Sequence, residues 1–263
     1  MLAAGLSYRE AGPADGPVAL MLHGFPESSH MWTGVMPAVA DAGWRAVAPD
    51  FAGFGDSEPD PPGTWERHIE ALERFRRELG IERCVPVVHD WGGLIALAWA
   101  CDRPEAVRAL AISGTGFFAD GKWHGMAKAL KEEGTGEQVL GGFTREGFEA
   151  VMRQSSAGVT NDAVADYWKA FSSAERRRGI LELYRSGDFS KLAQYDLAGL
   201  GVPALLVWGE EDEFAPLAGA HRFERELPDT ELAVVAGARH FVWEDAPAEC
   251  AAALTGFLAR VRG

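Results

Sequence analysis

The residues of this chain best placed to do chemistry stand where apolar runs end. In Val87-Val88-His89-Asp90-Trp91-Gly92-Gly93 an apolar run stops at an acid and restarts as a small-residue helix. The pattern predicts a strand, a tight turn and a helix with Asp90 at the tip, and Gly92 and Gly93 supply the small residues that a sharp turn needs. Such an elbow usually carries Ser, whose hydroxyl needs a neighbouring base. A carboxylate, with a reference pKa near ~3.9, is already ionised at neutral pH, attacks carbon directly and leaves an alkyl ester on itself. Asp is also a common helix N-cap, so the position alone leaves both roles open.

Two more polar residues sit in the same relation to apolar runs. Asp212 follows Val202–Trp208, and His240 follows Glu231–Val235 through Gly237-Ala238-Arg239. If those runs are strands of one parallel sheet, Asp90, Asp212 and His240 share its carboxyl edge, where such sheets keep their ligands. Singly, Asp212 reads equally as a turn residue and His240 as a surface group. Together, in the order nucleophile, acid, histidine, they form a site.

The rest of the chain supplies the elements that hold them. Val18–Leu22 is a fully apolar strand ending in His23-Gly24-Phe25-Pro26-Glu27, a loop whose backbone N–H groups could face Asp90. A helix over 31–42, a strand over 44–49, a helix over 65–79 stopped by Gly80, and a strand over 84–89 follow. The Gly-rich stretch Asp50 to Ser57 lacks the Gly-Lys-Ser/Thr ending of a phosphate loop and reads as a structural turn. After a helix over 94–100 and a strand over 107–112, residues 116–200 show helices and loops without a convincing strand. Strand patterning resumes at 202, and a last helix covers 248–262. We therefore expect a doubly wound, mostly parallel α/β sheet, with core segments 1–115 and 201–263 around an inserted helical cap at 116–200. Arg176 to Arg178 reads as a solvated helix face.

Composition narrows the partners. The chain has 263 residues, with 25 Lys+Arg against 39 Asp+Glu and a net charge of −14, which disfavours nucleic acid and anionic membranes. Cys84, Cys101 and Cys250 are odd in number and widely spaced, the pattern of reduced thiols in a cytoplasmic protein. No secretory signal or membrane span is expected.

Taken with these motifs, the sequence resembles the α/β-hydrolase fold family over nearly its whole length. His23-Gly24-Phe25-Pro26, Asp50 to Ser57, His89-Asp90-Trp91-Gly92-Gly93 and Gly209 to Asp212 resemble the Asp-nucleophile branch of soluble epoxide hydrolases, haloalkane dehalogenases and haloacetate dehalogenases. The resemblance implies Asp90, His240 and Asp212 as the triad, an oxyanion hole from the backbone N–H groups of Phe25 and Trp91, and no cofactor. Val88 stands where the family often has Gly, which crowds the elbow without removing a catalytic group.

In that branch the cap decides how the leaving group is helped. Leu181-Glu182-Leu183-Tyr184-Arg185 resembles the epoxide hydrolase segment with a ring-opening tyrosine, here Tyr184, and His124 stands at a separation where some relatives pair a histidine with it; Tyr167 and Tyr195 are weaker candidates. Epoxide opening is therefore expected first, with an apolar pocket from Trp91, Phe25 and Trp123. Haloalkane dehalogenation is the alternative. Phe25 occupies the place of a halide-binding Asn, although Trp123 or Trp168 could serve as a second indole. A haloacetate substrate fits poorly, since Trp91, Leu94 and Ile95 stand where carboxylate-binding arginines occur. A non-catalytic ligand-binding role is the reading from another class, and a serine esterase lacks its Ser.

Overall fold

The computed structural model describes residues 1–262. Eight strands form one sheet: β1 (Leu2–Ala3), β2 (Leu6–Ala11), β3 (Val18–Leu22), β4 (Arg45–Pro49), β5 (Cys84–His89), β6 (Leu110–Ser113), β7 (Ala204–Gly209) and β8 (Thr230–Val235). Their order is β1-β2-β4-β3-β5-β6-β7-β8; β1 and β2 join antiparallel, and from β4 onward all pairings are parallel. Every residue of β3, β5, β6 and β7 is buried, as a sheet covered on both faces requires. This is the doubly wound sheet that the apolar runs predict.

Helices α1 (Met36–Asp41), α2 (Trp65–Glu78) and α3 (Trp91–Asp102) lie between the early strands, and α4 (Gly125–Lys131), α5 (Thr135–Gly142), α6 (Arg145–Ser155), α7 (Asn161–Tyr167) and α8 (Ala174–Ser186) fill the interval between β6 and β7. Helices α9 (Leu217–Glu226), α10 (Val242–Asp245) and α11 (Pro247–Arg260) complete the chain. The helix expected over 31–42 is divided into a 3-10 turn at Ser29–Gly34 and α1. Pro37, which lacks an amide proton, fits the first turn of a new helix better than the middle of a long one. Helix α2 begins at Thr64, whose side chain accepts from the Arg67 amide, and ends before Gly80 at φ +63°. The strand expected over 107–112 is shorter: Val107 makes one isolated bridge to Cys84, and the ladder starts at Leu110.

Tertiary contacts correct one expectation about charge. Arg176 does not lie on a solvated face; its guanidinium donates to the carbonyls of Gly53 and Gly55 and pins α8 to the Gly-rich loop. That loop is a structural turn: Asp50 accepts from the amides of Ser29 and Asp56 at 2.7 and 3.0 Å, and a Cβ on Gly55 would strike its carboxylate. The three cysteines are free thiols. Among the described residues no helix is long and apolar enough to cross a membrane.

Candidate active site

Strand register brings four loops together. Leu22 pairs with Val88, His89 with Ser113, and Gly209 with Val235, so the segments after β3, β5, β7 and β8 leave the same edge of the sheet. Asp90 turns there with φ +47° and ψ −119°, an unfavourable region for a side chain with a Cβ. Its neighbours hold it there. The Asp90 carbonyl accepts from the amides of Gly93 and Leu94 and from the Thr115 hydroxyl at 2.8 Å. A Cβ on Gly92 would lie 2.4 Å from the Leu22 carbonyl oxygen, and one on Gly24 would lie 2.4 Å from Asp90 Cβ, so the turn packs against the β3 loop at distances only glycine permits.

Asp90 occupies the N-cap position of α3, yet its carboxylate caps nothing. Instead Oδ1 accepts from the Phe25 amide at 2.8 Å, and Oδ2 lies 3.8 Å from His240 Nε2. The second amide expected in an oxyanion hole belongs to Trp91, first residue of α3, where no acceptor exists within the helix. His240 is buried, and its Nδ1 lies 2.9 and 3.1 Å from the two oxygens of Asp212. Asp212 is itself fixed by the amides of Phe214 and Ala215 at 2.9 and 2.8 Å. Burial lowers the His240 pKa, but the charge and hydrogen bond of Asp212, aided by Asp90, outweigh it and leave the pKa raised.

Behind this row lies a buried polar layer that the sequence does not reveal. Glu27, fully buried, accepts from the Gly24 amide at 3.2 Å and stands 3.6 Å from His89 Nε2. Burial, with the charges of Glu244 and Asp90, pushes its carboxyl well above the usual range. The His89 ring packs 4.7 Å from that of His240, and burial drives its pKa well down. His23 clamps the β3 loop: Nε2 accepts from the Phe51 amide, so Nδ1 donates to the Gly24 carbonyl.

A cavity of about 80 Å³ opens over Asp90 and His240. Phe25, Phe143, Phe148, Met152 and Phe171 give it an apolar wall. Tyr184 and His124 also line it. The Tyr184 ring stands edge-on to Phe25 at 5.3 Å and to Trp91 at 5.0 Å. Burial and then the Asp90 charge push its phenol well above the ordinary value, only partly offset by a hydrogen bond with the Trp91 side chain. It is a neutral O–H. His124 caps α4 by accepting from the Ala127 amide at 3.4 Å through Nδ1, which leaves its proton on Nε2.

Several expected pocket residues stand elsewhere. Trp123 does not line this cavity: it stacks on Trp91 at 5.4 Å and packs on Phe189, around a separate small recess. The Trp91 ring lies in the same recess, turned from the cavity by Tyr184, so of the three expected wall residues only Phe25 serves. Trp168 stacks on Phe171, Tyr167 donates to Glu244 at 2.8 Å, and Tyr195 packs edge-on against Trp65. None of these three lines the cavity.

Comparison with known proteins places this geometry in context. Residues 17–247 match the family model for the alpha/beta hydrolase fold. Haloalkane dehalogenase 2 of Mycobacterium tuberculosis H37Rv is 31% identical over 252 residues, covering 91% of this chain and 87% of the relative. Epoxide hydrolase A of the same strain is 28% identical, covering 95% and 92%. Among solved structures, a putative ancestral haloalkane dehalogenase aligns with a TM-score of 0.82 at 30% identity, covering 97% of this chain and 96% of that one. Haloalkane dehalogenase DbeA from Bradyrhizobium elkani USDA94 aligns with a TM-score of 0.85 at 26% identity, covering 99% and 97%. With a family model matched from the second strand loop to α11 and relatives aligned almost end to end, this chain belongs to the α/β-hydrolase fold family and is a dehalogenase- and epoxide-hydrolase-like hydrolase.

Proposed function

We propose that the protein hydrolyses a small, neutral alkyl electrophile through an ester on Asp90, and that a carbon–halogen bond is the one it cleaves. The observation that carries the covalent route is the division of labour within one carboxylate at the cavity: Oδ1 accepts from the Phe25 amide while Oδ2 lies 3.8 Å from His240 Nε2. Oδ2 attacks the sp³ carbon and the halide leaves with the bonding pair. His240, oriented by Asp212, then takes a proton from water, whose oxygen adds to Asp90 Cγ. The negative charge of that tetrahedral state develops on Oδ1, where the Phe25 and Trp91 amides stabilise it. Collapse expels the alkoxide, which takes the proton held by His240 and leaves as the alcohol, and the carboxylic acid left on Asp90 loses its proton to water, restoring the carboxylate beside a neutral imidazole. Residues 116–200 act as the cap that closes the cavity.

Support for the halide comes from the relatives, which are named chiefly as haloalkane dehalogenases; this moves the weight away from the epoxide expected first from the sequence. With Phe25 in the place of an amide side chain and the Trp91 ring turned away, Tyr184 and His124 are the donors left to the departing ion. The same pair favours epoxide opening as a second reading, because a neutral phenol beside Asp90 can protonate an alkoxide. Bromide release from 1-bromobutane, set beside diol formation from styrene oxide, decides between them. We expect bromide release to dominate; diol formation with no bromide release overturns the halide assignment, and inertness to both favours a binding protein.

A further inference from the structure

Among the described residues, six large apolar side chains are left exposed: Met1, Leu2, Met126, Val151, Phe214 and Val234. Three of them, Met126, Val151 and Phe214, line the cavity over Asp90. Exposed apolar surface gathered around one opening is the mark of a ligand route. On the outer side lies a second basin of about 450 Å³, with Gln154, Glu211, Glu213 and Arg239 in its wall, and Val151, Ser155, Phe214 and His240 line both spaces.

Phe214 is held in a particular way at this boundary. Its amide donates to Asp212 and so does that of Ala215, which fixes the main chain to the triad acid. The residue is 39% exposed, and its ring stands edge-on between His124 at 5.2 Å and His240 at 5.1 Å. A main chain tied to Asp212 at two amides thus carries a partly exposed ring to the boundary between the two spaces, the arrangement of a door on a post. Across from it, α6 presents Val151 and Ser155, and the Arg239 guanidinium reaches the Gln154 carbonyl and lies 3.9 Å from Glu211. With Arg239 facing Glu211, Glu213 leaves the basin net negative.

We infer that substrates enter between α6 and the 212–216 loop, and that Phe214 is the specificity-determining residue that admits slender neutral molecules and delays broad ones. The inference rests on the reading of Asp90 and His240 as the reactive centre. Glu211 and Glu213 turn anions away before they reach the apolar rim, whereas a neutral alkyl chain passes from basin to cavity along Val151 and Phe214.

The test uses alcohols, which resemble the product and need no bond cleavage to bind. Exchange of hexan-1-ol and of cyclohexanol, equal in carbon number and different in girth, is followed by ligand NMR line shape in wild type, Phe214→Ala, Phe214→Trp and, as a control away from the rim, Val234→Ala. Phe214→Ala is expected to speed cyclohexanol association about tenfold and hexan-1-ol less than about twofold, with Phe214→Trp slowing cyclohexanol and Val234→Ala changing neither. Equal effects on both alcohols, or none, overturn the gate. In Phe214→Leu the His240 ring protons report that the triad is intact by titrating as in wild type; a shifted titration assigns position 214 to packing and also overturns it. Hexanoate is expected to associate more slowly than hexan-1-ol, and faster in Glu211→Gln/Glu213→Gln; no gain there overturns the electrostatic filter. A protein that discriminates the alcohols yet forms no alkyl ester sinks the reactive-centre reading and keeps the door, whereas ester formation without dependence on residue 214 sinks the door alone.

Discussion

Asp90 and Phe25 share one hydrogen bond, 2.8 Å from the Phe25 amide to Asp90 Oδ1, and it assigns different work to the two oxygens of a single carboxylate. The bonded oxygen is placed to take up charge, while its partner lies 3.8 Å from His240. Losing one preorganised oxyanion donor typically costs roughly 10²–10³ in rate, so this contact rests on main chain, where no side-chain substitution removes it directly.

Its sensitivity can be probed through Gly24. A methyl there would meet the Asp90 side chain, Cβ at 2.4 Å and Oδ1 at 2.7 Å. Gly24→Ala is expected to lower the thermal midpoint by the equivalent of about 1–3 kcal/mol and to cut turnover at least about 100-fold. Turnover near wild type would mean that the nucleophile tolerates displacement.

Raised basicity at His240 fixes an acid limb. The imidazole must be neutral to accept a proton from water, and Asp212 and Asp90 hold its pKa above 6.5 despite burial. Hydrolysis of the ester, in which Asp90 no longer carries its charge, should therefore fall off on the acid side with a midpoint set mainly by Asp212. Asp212→Asn removes the main raising influence, so the limb moves to lower pH while the plateau drops. A limb that stays in place in Asp212→Asn would detach the acid from the base.

Tyr184→Phe separates the two leaving groups. Epoxide opening needs a proton and should lose roughly 10²–10⁴ in rate, whereas bromide departure needs only a weak donor and should lose far less. Comparable losses on both would place Tyr184 in binding rather than in proton delivery.

A structural prediction concerns Glu73 on α2, which accepts from the Trp99 indole of α3 at 2.8 Å. Its ion pair with Arg76, first, then Trp99 and Arg77, hold its carboxyl at about 2 from an ordinary 4.5, against the opposing effect of burial. A depressed folded-state pKa stabilises above the unfolded value and loses its effect as pH falls. The thermal midpoint of Glu73→Gln should lie below wild type at pH 7, and the gap should close between pH 4.5 and 2. A gap independent of pH would assign the loss to packing.

What was legible in the chain was what strand ends dictate. Apolar runs that stop at Asp90, Asp212 and His240 placed all three on one edge of the sheet, and the glycines around residue 90 announced the turn. Side-chain placement beyond that edge was not legible. Trp91 and Trp123 carry the composition of a pocket but stack in a recess beside it, because local sequence does not tell which face of a helix a cap will cover. Glu27 gave no signal either: its burial follows from the fold of the β3 loop onto His89, a contact between residues 62 positions apart. Phe214 was readable only in hindsight, as the first aromatic after the acid.

An ester on Asp90 shows itself in the intact mass of the protein. His240→Ala, incubated with 1-bromobutane, should form the ester and stall, gaining the mass of the butyl group in place of a proton, while Asp90→Asn gains nothing. A gain equal to a whole epoxide, from styrene oxide with the bromoalkane inert, would keep the ester and change the substrate. No adduct on a folded His240→Ala protein, or an equal adduct on Asp90→Asn, would rule out Asp90 as the nucleophile.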